Sequence, residues 1–600
     1  MQGTGETERS HGSRVRFGSF EADLNSGELF RKGSRVRIQE KPFRLLAILL
    51  QHPGDMVSRE DLHRALWPED TFVDFDVGLN TAIRKLRAAL QEDTDRPRYI
   101  ETVPRRGYRL IAHTDIVPQR HGRKIDSLAV LPFHDHTQNS EAEYLSEGMT
   151  ESLIRTLSRI SALKKVIARN SVYRYKGKDV DPHRVGQELG VRALLMGEVA
   201  QHGDELSISV ELLDTADNRH IWGAQYHRKM AAIQSLQDEI TADIAQQLHY
   251  KLNRTQNDLT AKAHTPDRQA YHLYLRGRYL WNKRPHIDML QKAISHFQQA
   301  IQRDARFVLP YVGLADTLNT LAGWESGAVA PAIAIPQAKL AAQKALELDP
   351  GSAEAHTSLA FASMHYDWEW KLAETQFQRA LKLNPGYANL RHWHSHYLTA
   401  TGRHEESFAE SLAVLELDPL DLIINIHLAW HYIMARRYEL AVEQIRKTLD
   451  MEPSFHWGYF FLALVYEQTG QAGEAVHNLL KSVELSGGAT LTLSELGHAY
   501  AVAGDADNAV KVLDKLRELS KNRYVSSYEV GLIHAALGEI DTAFQWLEKA
   551  YEERSGWLAY MNVEPRLDCL RQDPRFRDLL CRIGLQPSKA VAAVAALENT

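Results

Sequence analysis

The chain has 600 residues, enough for several domains, and its 44% hydrophobic and 25% charged residues are the proportions of ordinary globular proteins. Its two cysteines, Cys569 and Cys581, argue against a disulfide scaffold or a cysteine-based zinc site. No apolar stretch has the length of a membrane span and the amino terminus lacks an apolar signal core, so we expect a cytoplasmic protein with no membrane partner. The net charge is −6, but residues 77–112 carry eight basic and four acidic side chains, so a positive field is expected there.

The first elements in chain order are short strands followed by two helices. Residues 14–38 predict strands, with hairpin signals at 25–27 and 32–34. Pro42 opens a helix at its first turn, where a missing N–H costs nothing. Ser58, with a carboxylate three residues later, begins a second helix in a capping-box arrangement.

A third helix is predicted over 77–90, with one apolar and one basic face. Its core face is formed by residues at helical spacing, namely Leu79, Ile83, Leu86 and Leu90. Its outward residues are Asn80, Thr81, Arg84, Lys85 and Arg87. A solvated surface helix shows the same pattern. Taken alone, this helix is therefore equally consistent with a DNA-binding helix and with an ordinary surface helix.

A two-stranded ribbon is predicted over 99–110. Its apolar positions are Ile100, Val103, Tyr108 and Leu110. Arg105 and Arg106 stand just ahead of Gly107, the predicted turn residue, so the turn can direct two guanidinium groups outward. A pair of cations at a hairpin tip suits a minor groove or a phosphate.

Together these elements resemble the winged helix-turn-helix DNA-binding domain of OmpR/PhoB-type transcriptional regulators, over residues 14–112. The resemblance rests on the Pro42 helix, Val57-Ser-Arg-Glu-Asp-Leu62, Leu66-Trp67, Ile83-Arg-Lys-Leu-Arg87 and Gly107-Tyr-Arg109. In that family the third helix lies in the major groove and the wing reaches the adjacent minor groove. The resemblance implies that Thr81 and Lys85 face bases, that Asn80, Arg84 and Arg87 face bases or phosphates, and that Arg105 and Arg106 act in the wing. The family's wing usually has a glycine-rich tip, and Pro104-Arg105-Arg106 replaces it here, which leaves open which arginine enters the minor groove.

Residues 125–252 predict a small α/β domain of alternating strands and helices. Strands are expected over 127–133, 192–199, 206–212 and 219–227, and helices over 144–160 and 231–252. This unit resembles the amino-terminal domain of TolB-like proteins through Ala129-Val-Leu-Pro-Phe133, Gly148-Met-Thr-Glu151, Gly197-Glu-Val199, Val210-Glu-Leu-Leu-Asp214 and Ile221-Trp222. The resemblance brings no catalytic residue. A sensing or docking module and a structural spacer are equally weighted interpretations.

The remaining half is predicted to be an all-α solenoid of tetratricopeptide repeats, because its residues recur at a spacing of 34. Glycines fall at multiples of this period at Gly402, Gly470, Gly504 and Gly538, and alanines at Ala441, Ala475, Ala509 and Ala543. Prolines 35, 34 and 34 residues apart agree, at Pro350, Pro385, Pro419 and Pro453. We expect about eight repeats from 265 to 557 and a charged capping helix from 565 to 582, so that the array covers 265–582.

In the tetratricopeptide family, the first helix of each repeat lines a groove that receives peptides or helices. This phase puts Ile426, Trp430, Trp457 and Phe460 in the groove, beside His392, His396 and His498. Exposed aromatic side chains there would anchor a protein partner. The alternative is that some of these residues belong to the core in a slightly shifted frame.

The sequence gives no support to an enzyme. Gly-x-x-x-x-Gly-Lys-Ser/Thr, Gly-x-Gly-x-x-Gly and Gly-x-Ser-x-Gly are all absent. His392 and His396 have an i, i+4 spacing that can bind a metal, but no third ligand is evident, and a surface helix is the favoured interpretation. We therefore expect no cofactor and no metal.

The three modules predict a one-component transcriptional regulator. Thirteen residues precede Arg14, too few for a phosphate-accepting receiver domain. The expected partners are double-stranded DNA and a protein or peptide held by the repeats, with a small-molecule effector and a homodimer on DNA as open alternatives. The second hypothesis is a protein-interaction scaffold whose winged helix serves as a docking module.

Overall fold

The computed structural model describes residues 14–23, 27–31, 34–36, 38–67, 75–93, 96–116, 125–135, 140–160, 163–229, 232–248, 265–283, 287–322 and 329–586. They form two compact units, Met1–Lys124 and Ile125–Thr600. The predicted multidomain fold class is confirmed: an α+β winged-helix region is followed by a sheet-containing domain and a helical solenoid. None of the helices in the described ranges combines the length and apolar character needed to cross a bilayer.

The first unit contains two small sheets and three helices around its own hydrophobic core. Its elements are β1 (Arg14–Phe17), β2 (Phe20–Asp23), β3 (Glu28–Arg31), β4 (Ser34–Val36), α1 (Glu40–Gln51), β5 (Met56–Ser58), α2 (Arg59–Leu66), α3 (Phe75–Leu90), β6 (Ile100–Val103), β7 (Gly107–Leu110) and β8 (Thr114–Ile116). The antiparallel sheets have the orders β4-β3-β2-β1-β8 and β5-β7-β6. Ser58 caps α2 as predicted, since its hydroxyl accepts a hydrogen bond from the backbone N–H of Asp61 at 3.1 Å. Strand β8 pairs with β1, so regular structure of this unit continues beyond residue 112.

The wing turn differs from the prediction at Gly107. Val103 pairs with Gly107, so Gly107 is the first residue of β7 and the turn consists of residues 104–106. A Cβ on Gly107 would lie 2.0 Å from the carbonyl oxygen of Val57 on the neighbouring strand. Glycine is therefore required by the close approach of two strands, and the left-handed turn residue is Arg105, at φ 63°.

The second unit begins with an α/β domain. Its elements are β9 (Ser127–Val130), β10 (His134–Asp135), α4 (Ser140–Leu157), β11 (Lys165–Val166), α5 (Arg169–Tyr173), α6 (Pro182–Leu189), β12 (Ala193–His202), β13 (Glu205–Asp214), β14 (Arg219–Lys229) and α7 (Ile233–Gln247). The sheet has the order β11-β9-β12-β13-β14, and β10 also pairs with β12. Strands β9 and β12 are parallel, whereas β12, β13 and β14 form an antiparallel meander.

Eight consecutive helix pairs follow in the described residues, and we number them as repeats 1 to 8. The first helices are Arg268–Trp281, Val308–Ala322, Ala353–Ala362, Ala388–Ala400, Leu422–Met434, His456–Gln468, Thr490–Val502 and Ser527–Ala536. The second helices are Ile287–Arg303, Pro331–Leu348, Trp370–Leu383, His404–Leu417, Tyr438–Met451, Ala472–Leu485, Ala506–Leu519 and Ile540–Glu552. The alanines at the 34-residue period are fully buried, which lets paired helices pack closely.

The last described residues form a segment that packs over the first helices of several repeats. This C-terminal segment, residues 556–586, has two 3₁₀ turns, Gly556–Tyr560 and Pro565–Leu570, and a helix, Pro574–Arg582. The continuous capping helix expected over 565–582 is therefore interrupted. The ring of Tyr560 lies 4.8 Å from that of Trp430 in repeat 5, and Trp557 stacks on Tyr528 in repeat 8 at 6.2 Å.

Candidate functional site

The outward face of α3 carries the predicted polar residues. Asn80, Arg84 and Lys85 are exposed and Thr81 is half-buried, while the leucine face is buried in the core. Lys85 Nζ donates a hydrogen bond to Oε1 of Gln39 at 2.8 Å, just before α1. Within the described ranges, no carboxylate pairs with Arg84, so its charge is available to solvent or to a ligand.

A contact between α2, α3 and the wing holds the first half of α3. The Tyr108 hydroxyl donates to Oδ1 of Asn80 at 3.1 Å, and Arg59 donates to the same oxygen at 3.4 Å and to the Tyr108 hydroxyl at 3.3 Å. These bonds set the direction of the Asn80 amide and link α3 to β7. Arg59 was not predictable as part of this contact, because nothing in its position after the Ser58 cap distinguishes it from a solvated arginine.

The prediction that Arg87 faces outward and contacts DNA is wrong, because its side chain is buried. It is 8% exposed, and its Nη2 donates to the carbonyl oxygen of Ile100 at 2.8 Å and to Thr102 Oγ1 at 2.9 Å. Its Nε lies 3.8 Å from Glu92, whose carboxylate accepts backbone hydrogen bonds at the entry to β6. Arg87 therefore holds the wing to α3 and cannot contact DNA in this structure.

The tip of the wing presents both predicted arginines. Arg105 and Arg106 are exposed at the three-residue turn between β6 and β7. The carbonyl oxygen of Arg106 accepts a hydrogen bond from the backbone N–H of Arg59 at 3.1 Å. Arg105 is the central residue of the turn and has the left-handed backbone.

The four residues predicted to contact a partner are all buried, which corrects the groove prediction. Their exposed fractions are 0% for Ile426, 1% for Trp430, 7% for Trp457 and 2% for Phe460. Trp430 lies on the predicted face, but the C-terminal segment covers it. Trp457 and Phe460 pack edge to face within the core, with ring centroids 5.1 Å apart. The sequence could not reveal this cover, because it comes from residues more than 100 positions away.

A charged side chain of the C-terminal segment enters a buried charge cluster on the first helices of repeats 6 to 8. The cluster consists of Glu467, Glu495, His498, Glu529, Glu564 and Arg566. The Arg566 guanidinium contacts Glu495 and lies 3.6 Å from Glu529 and 2.9 Å from Glu564. His498, which was predicted to lie beside the groove, is 3.0 Å from Glu467. Burial raises the pKa of Glu495 and Glu529 above the usual range despite the neighbouring arginine.

The α/β domain is joined to repeats 4 and 5 by buried hydrogen bonds. Ser171, in the middle of α5, donates from its backbone N–H and its hydroxyl to Asp418, at 2.7 and 2.5 Å. The backbone N–H of Ala168 donates to the carbonyl oxygen of Leu417 at 2.8 Å. Since a buried donor or acceptor is costly to leave unpaired, these bonds lock the domain to the array.

The same interface extends to repeat 3 and borders an open cavity. Arg159 donates to Glu354 at 2.8 Å, and although burial raises the pKa of Glu354, Arg159 and Arg155 lower it to about 2. The neighbouring cavity has a volume of about 130 Å³. Its polar lining comes from α4 and from repeats 1 to 4, and includes Glu151, Arg155, Arg278, Asp316, Tyr387 and Asn389. The cavity thus combines cations, carboxylates and an amide.

Three kinds of sequence family match separate parts of the chain. Residues 33–110 match the family described as "Transcriptional regulatory protein, C terminal". Residues 123–242 match "HilA/YgeH-like transcriptional regulator, second domain", and residues 458–487 and 494–556 match "Tetratricopeptide repeat". The OmpR/PhoB-type and tetratricopeptide resemblances are confirmed, whereas the TolB-like resemblance stays a prediction.

Relatives align with different portions of the chain. The transcriptional regulator HilA of Salmonella typhimurium is 25% identical over 67% of this chain and 70% of its own length. The cholera toxin transcriptional activator of Vibrio cholerae is 34% identical over 20% of this chain and 41% of its own length. A Rhizobium meliloti protein named as a candidate adenylate cyclase is 30% identical over 42% of each chain, so the match spans less than half of these last two relatives. The chain therefore joins an OmpR/PhoB-type DNA-binding domain, a domain similar to the second domain of HilA/YgeH-like regulators, and tetratricopeptide repeats.

Proposed function

We propose that this chain is a transcriptional regulator that binds double-stranded DNA through α3 and the wing. The observation that carries the proposal is the exposure of Arg84, Lys85 and both wing arginines on one compact unit with its own core. Helix α3 enters the major groove, where Thr81 and Lys85 face bases and Asn80 and Arg84 face bases or phosphates.

Arg105 is the wing residue that enters the minor groove in this proposal. The backbone of Arg106 is tied to α2 through Arg59, which keeps it near the base of the turn. Arg105 occupies the middle of the turn, the position that projects farthest from a hairpin. Arg106 then serves a flanking phosphate.

Two copies of the chain bind paired half-sites, and the second unit supplies the signal. The excess of four basic side chains between residues 77 and 112 gives one DNA-binding domain only a modest non-specific affinity for DNA. When two domains bind neighbouring half-sites, the first binding event raises the effective concentration of the second domain and so increases the overall affinity. A small polar effector in the 130 Å³ cavity would contact both the α/β domain and the repeats, and so bias how they are held together. The chain acts by binding, and no catalytic step is part of the proposal.

Selection of bound sequences from a random duplex library tests DNA recognition with the full chain. We expect a recurrent motif with two half-sites, and Arg84→Ala and Lys85→Ala should weaken binding to it. Arg16→Ala is a charge-matched control, because Arg16 lies on β1 and pairs with Glu21 at 2.5 Å. Selection of no motif would refute the regulator proposal and favour the docking scaffold.

The effector proposal has a separate test. We expect a screen of small charged metabolites to find a compound that raises the unfolding midpoint of the full chain, and Arg155→Met to abolish that shift. A compound that stabilises wild type and Arg155→Met equally would bind elsewhere and contradict the cavity assignment.

A further inference from the structure

A group of three histidines lies inside the array where repeats 4 and 5 meet. His392 and His396 are one helical turn apart on the first helix of repeat 4, and His427 lies on the first helix of repeat 5. Their exposed fractions are 7%, 2% and 1%. The interpretation of His392 and His396 as residues of a surface helix is therefore wrong, and the neighbouring repeat supplies the third ligand that the sequence did not reveal.

The ring nitrogens of this histidine triad converge on one point. Nδ1 of His427 lies 2.7 Å from Nε2 of His392 and 3.1 Å from Nε2 of His396. The three nitrogens all lie within 4.8 Å of one another. A tetrahedral zinc with Zn–N bonds of about 2.0–2.1 Å separates its ligand nitrogens by roughly 3.3 Å, so the two closest nitrogen pairs would each need to separate by only about 0.2–0.6 Å to bind it.

Hydrogen bonding accounts poorly for this convergence. In the plane of its ring, Nδ1 of His427 has either one proton or one lone pair, so only one of its two close contacts is a hydrogen bond at a time. A cation between the three nitrogens accepts a lone pair from each of them. Nδ1 of His396 is buried and finds no partner in the described part of the chain, so the ring can turn without breaking a bond there.

The triad is buried, and neutral imidazole is the form that binds metals. Trp430 covers the triad at 5.3 Å from the His396 ring. The fold therefore holds the three rings close together before any metal binds.

We infer that His392, His396 and His427 form a buried zinc-binding site that links the first helices of repeats 4 and 5. Three imidazole nitrogens with no thiolate suit a borderline divalent ion, and water or hydroxide takes the fourth position. The ion would crosslink two repeats directly beneath Trp430, and so support the surface on which Tyr560 of the C-terminal segment packs. This site is independent of DNA binding.

Zinc binding to the metal-free full chain tests the inference, with His394 as a matched control. His394 lies on the same helix as the two ligands, is 3% exposed, and points to Glu410 at 3.5 Å. We expect wild type and His394→Gln to retain one zinc per chain after desalting and to unfold at a higher temperature when loaded. His396→Gln and His427→Gln should lose at least about 100-fold in zinc affinity and show no thermal shift.

A spectroscopic measurement on the wild type keeps the inference falsifiable if a variant fails to fold. X-ray absorption of the zinc-loaded wild type should report three imidazole ligands. Failure of the wild type to retain zinc, equal retention by His396→Gln, or a first shell with fewer imidazoles would each overturn the site.

Discussion

Arg84 and Arg87 lie three residues apart on α3, and we expect their alanine variants to fail in opposite ways. Arg87 is 8% exposed and holds two wing residues and Glu92, whereas Arg84 is exposed. Removing one partner of a buried ion pair costs about 3–5 kcal/mol, because the other charge is left uncompensated. Folded domains have only about 5–15 kcal/mol of stability, so Arg87→Ala should come close to unfolding the first unit.

The assay compares stability and DNA affinity for both variants in a fragment of residues 14–124, which contains a complete core. Arg87→Ala should lower the free energy of unfolding by about 3 kcal/mol and the melting temperature by roughly 10–25 °C. Arg84→Ala should change stability by less than about 0.5 kcal/mol. Its affinity for the selected DNA should fall roughly 5- to 100-fold, as for loss of a base or phosphate contact.

Salt dependence then separates the two roles of Arg84. A phosphate contact predicts that the slope of log K against log salt falls by about 1, while a base contact predicts relaxed specificity at one position. If Arg87→Ala folds as stably as wild type but binds DNA weakly, Arg87 is a DNA ligand and the reasoning from burial is wrong. If Arg84→Ala binds normally, the outward face of α3 is not the reading surface.

Three further changes test the wing, the C-terminal segment and the buried charge cluster. Gly107→Ala places a Cβ 2.0 Å from the Val57 carbonyl oxygen, so β7 must separate from β5; urea unfolding should show a loss of stability, and unchanged stability would refute the close approach. Tyr560→Phe removes the 2.9 Å hydrogen bond to His365, so limited proteolysis should release the C-terminal segment faster, and an unchanged rate would show that the bond does not hold it. Burial raises the folded-state pKa of Glu495 from 4.5 to about 8. Between these pH values the unfolded chain releases this proton more readily than the folded chain, so the free energy of unfolding falls as pH rises. The thermal advantage of Glu495→Gln over wild type should therefore grow from pH 5 to pH 8.5, and a constant difference would contradict the shift.

The elements that follow from local chemistry were predictable from the sequence. The Ser58 cap, the buried leucine face of α3 and the helix pairs at a period of 34 each depend on residues within one or two turns or one repeat. Such short-range patterns survive into the fold because the same residues provide both the signal and the contact.

Arg87 shows where a periodic pattern stops being informative. Its position on the helical wheel borders the apolar face, and a long side chain there can extend to solvent or turn inward. The side chain of Arg87 turns inward because Glu92 and the carbonyl oxygen of Ile100, 13 residues away, bind its guanidinium group. Charge alone therefore predicted a DNA contact where the structure has a support for the wing.

The histidine triad and the covered groove were unpredictable for the same reason on a larger scale. His427 is 35 residues from His392 in the chain, one repeat away, so no third ligand is evident near the i, i+4 pair in the sequence. Tyr560 is 130 residues from Trp430, the residue it covers. A repeat array makes such contacts through its superhelical shape, which the period of the sequence does not determine.

Two positions of the 34-residue glycine period are not glycine, and both make contacts with distant parts of the chain. Six positions spaced by 34 have left-handed backbone; four are glycines, and the other two are Trp368 and Arg436. A non-glycine residue in this conformation costs roughly 1–2 kcal/mol, so each exception needs compensation. Arg436 bonds to Asp568 of the C-terminal segment at 2.6 Å, and the Trp368 ring stacks on Tyr551 at 5.0 Å. The departures from the repeat pattern thus identify turns where tertiary contacts replaced the backbone freedom of glycine, and at Arg436 that contact is with the segment that covers the groove.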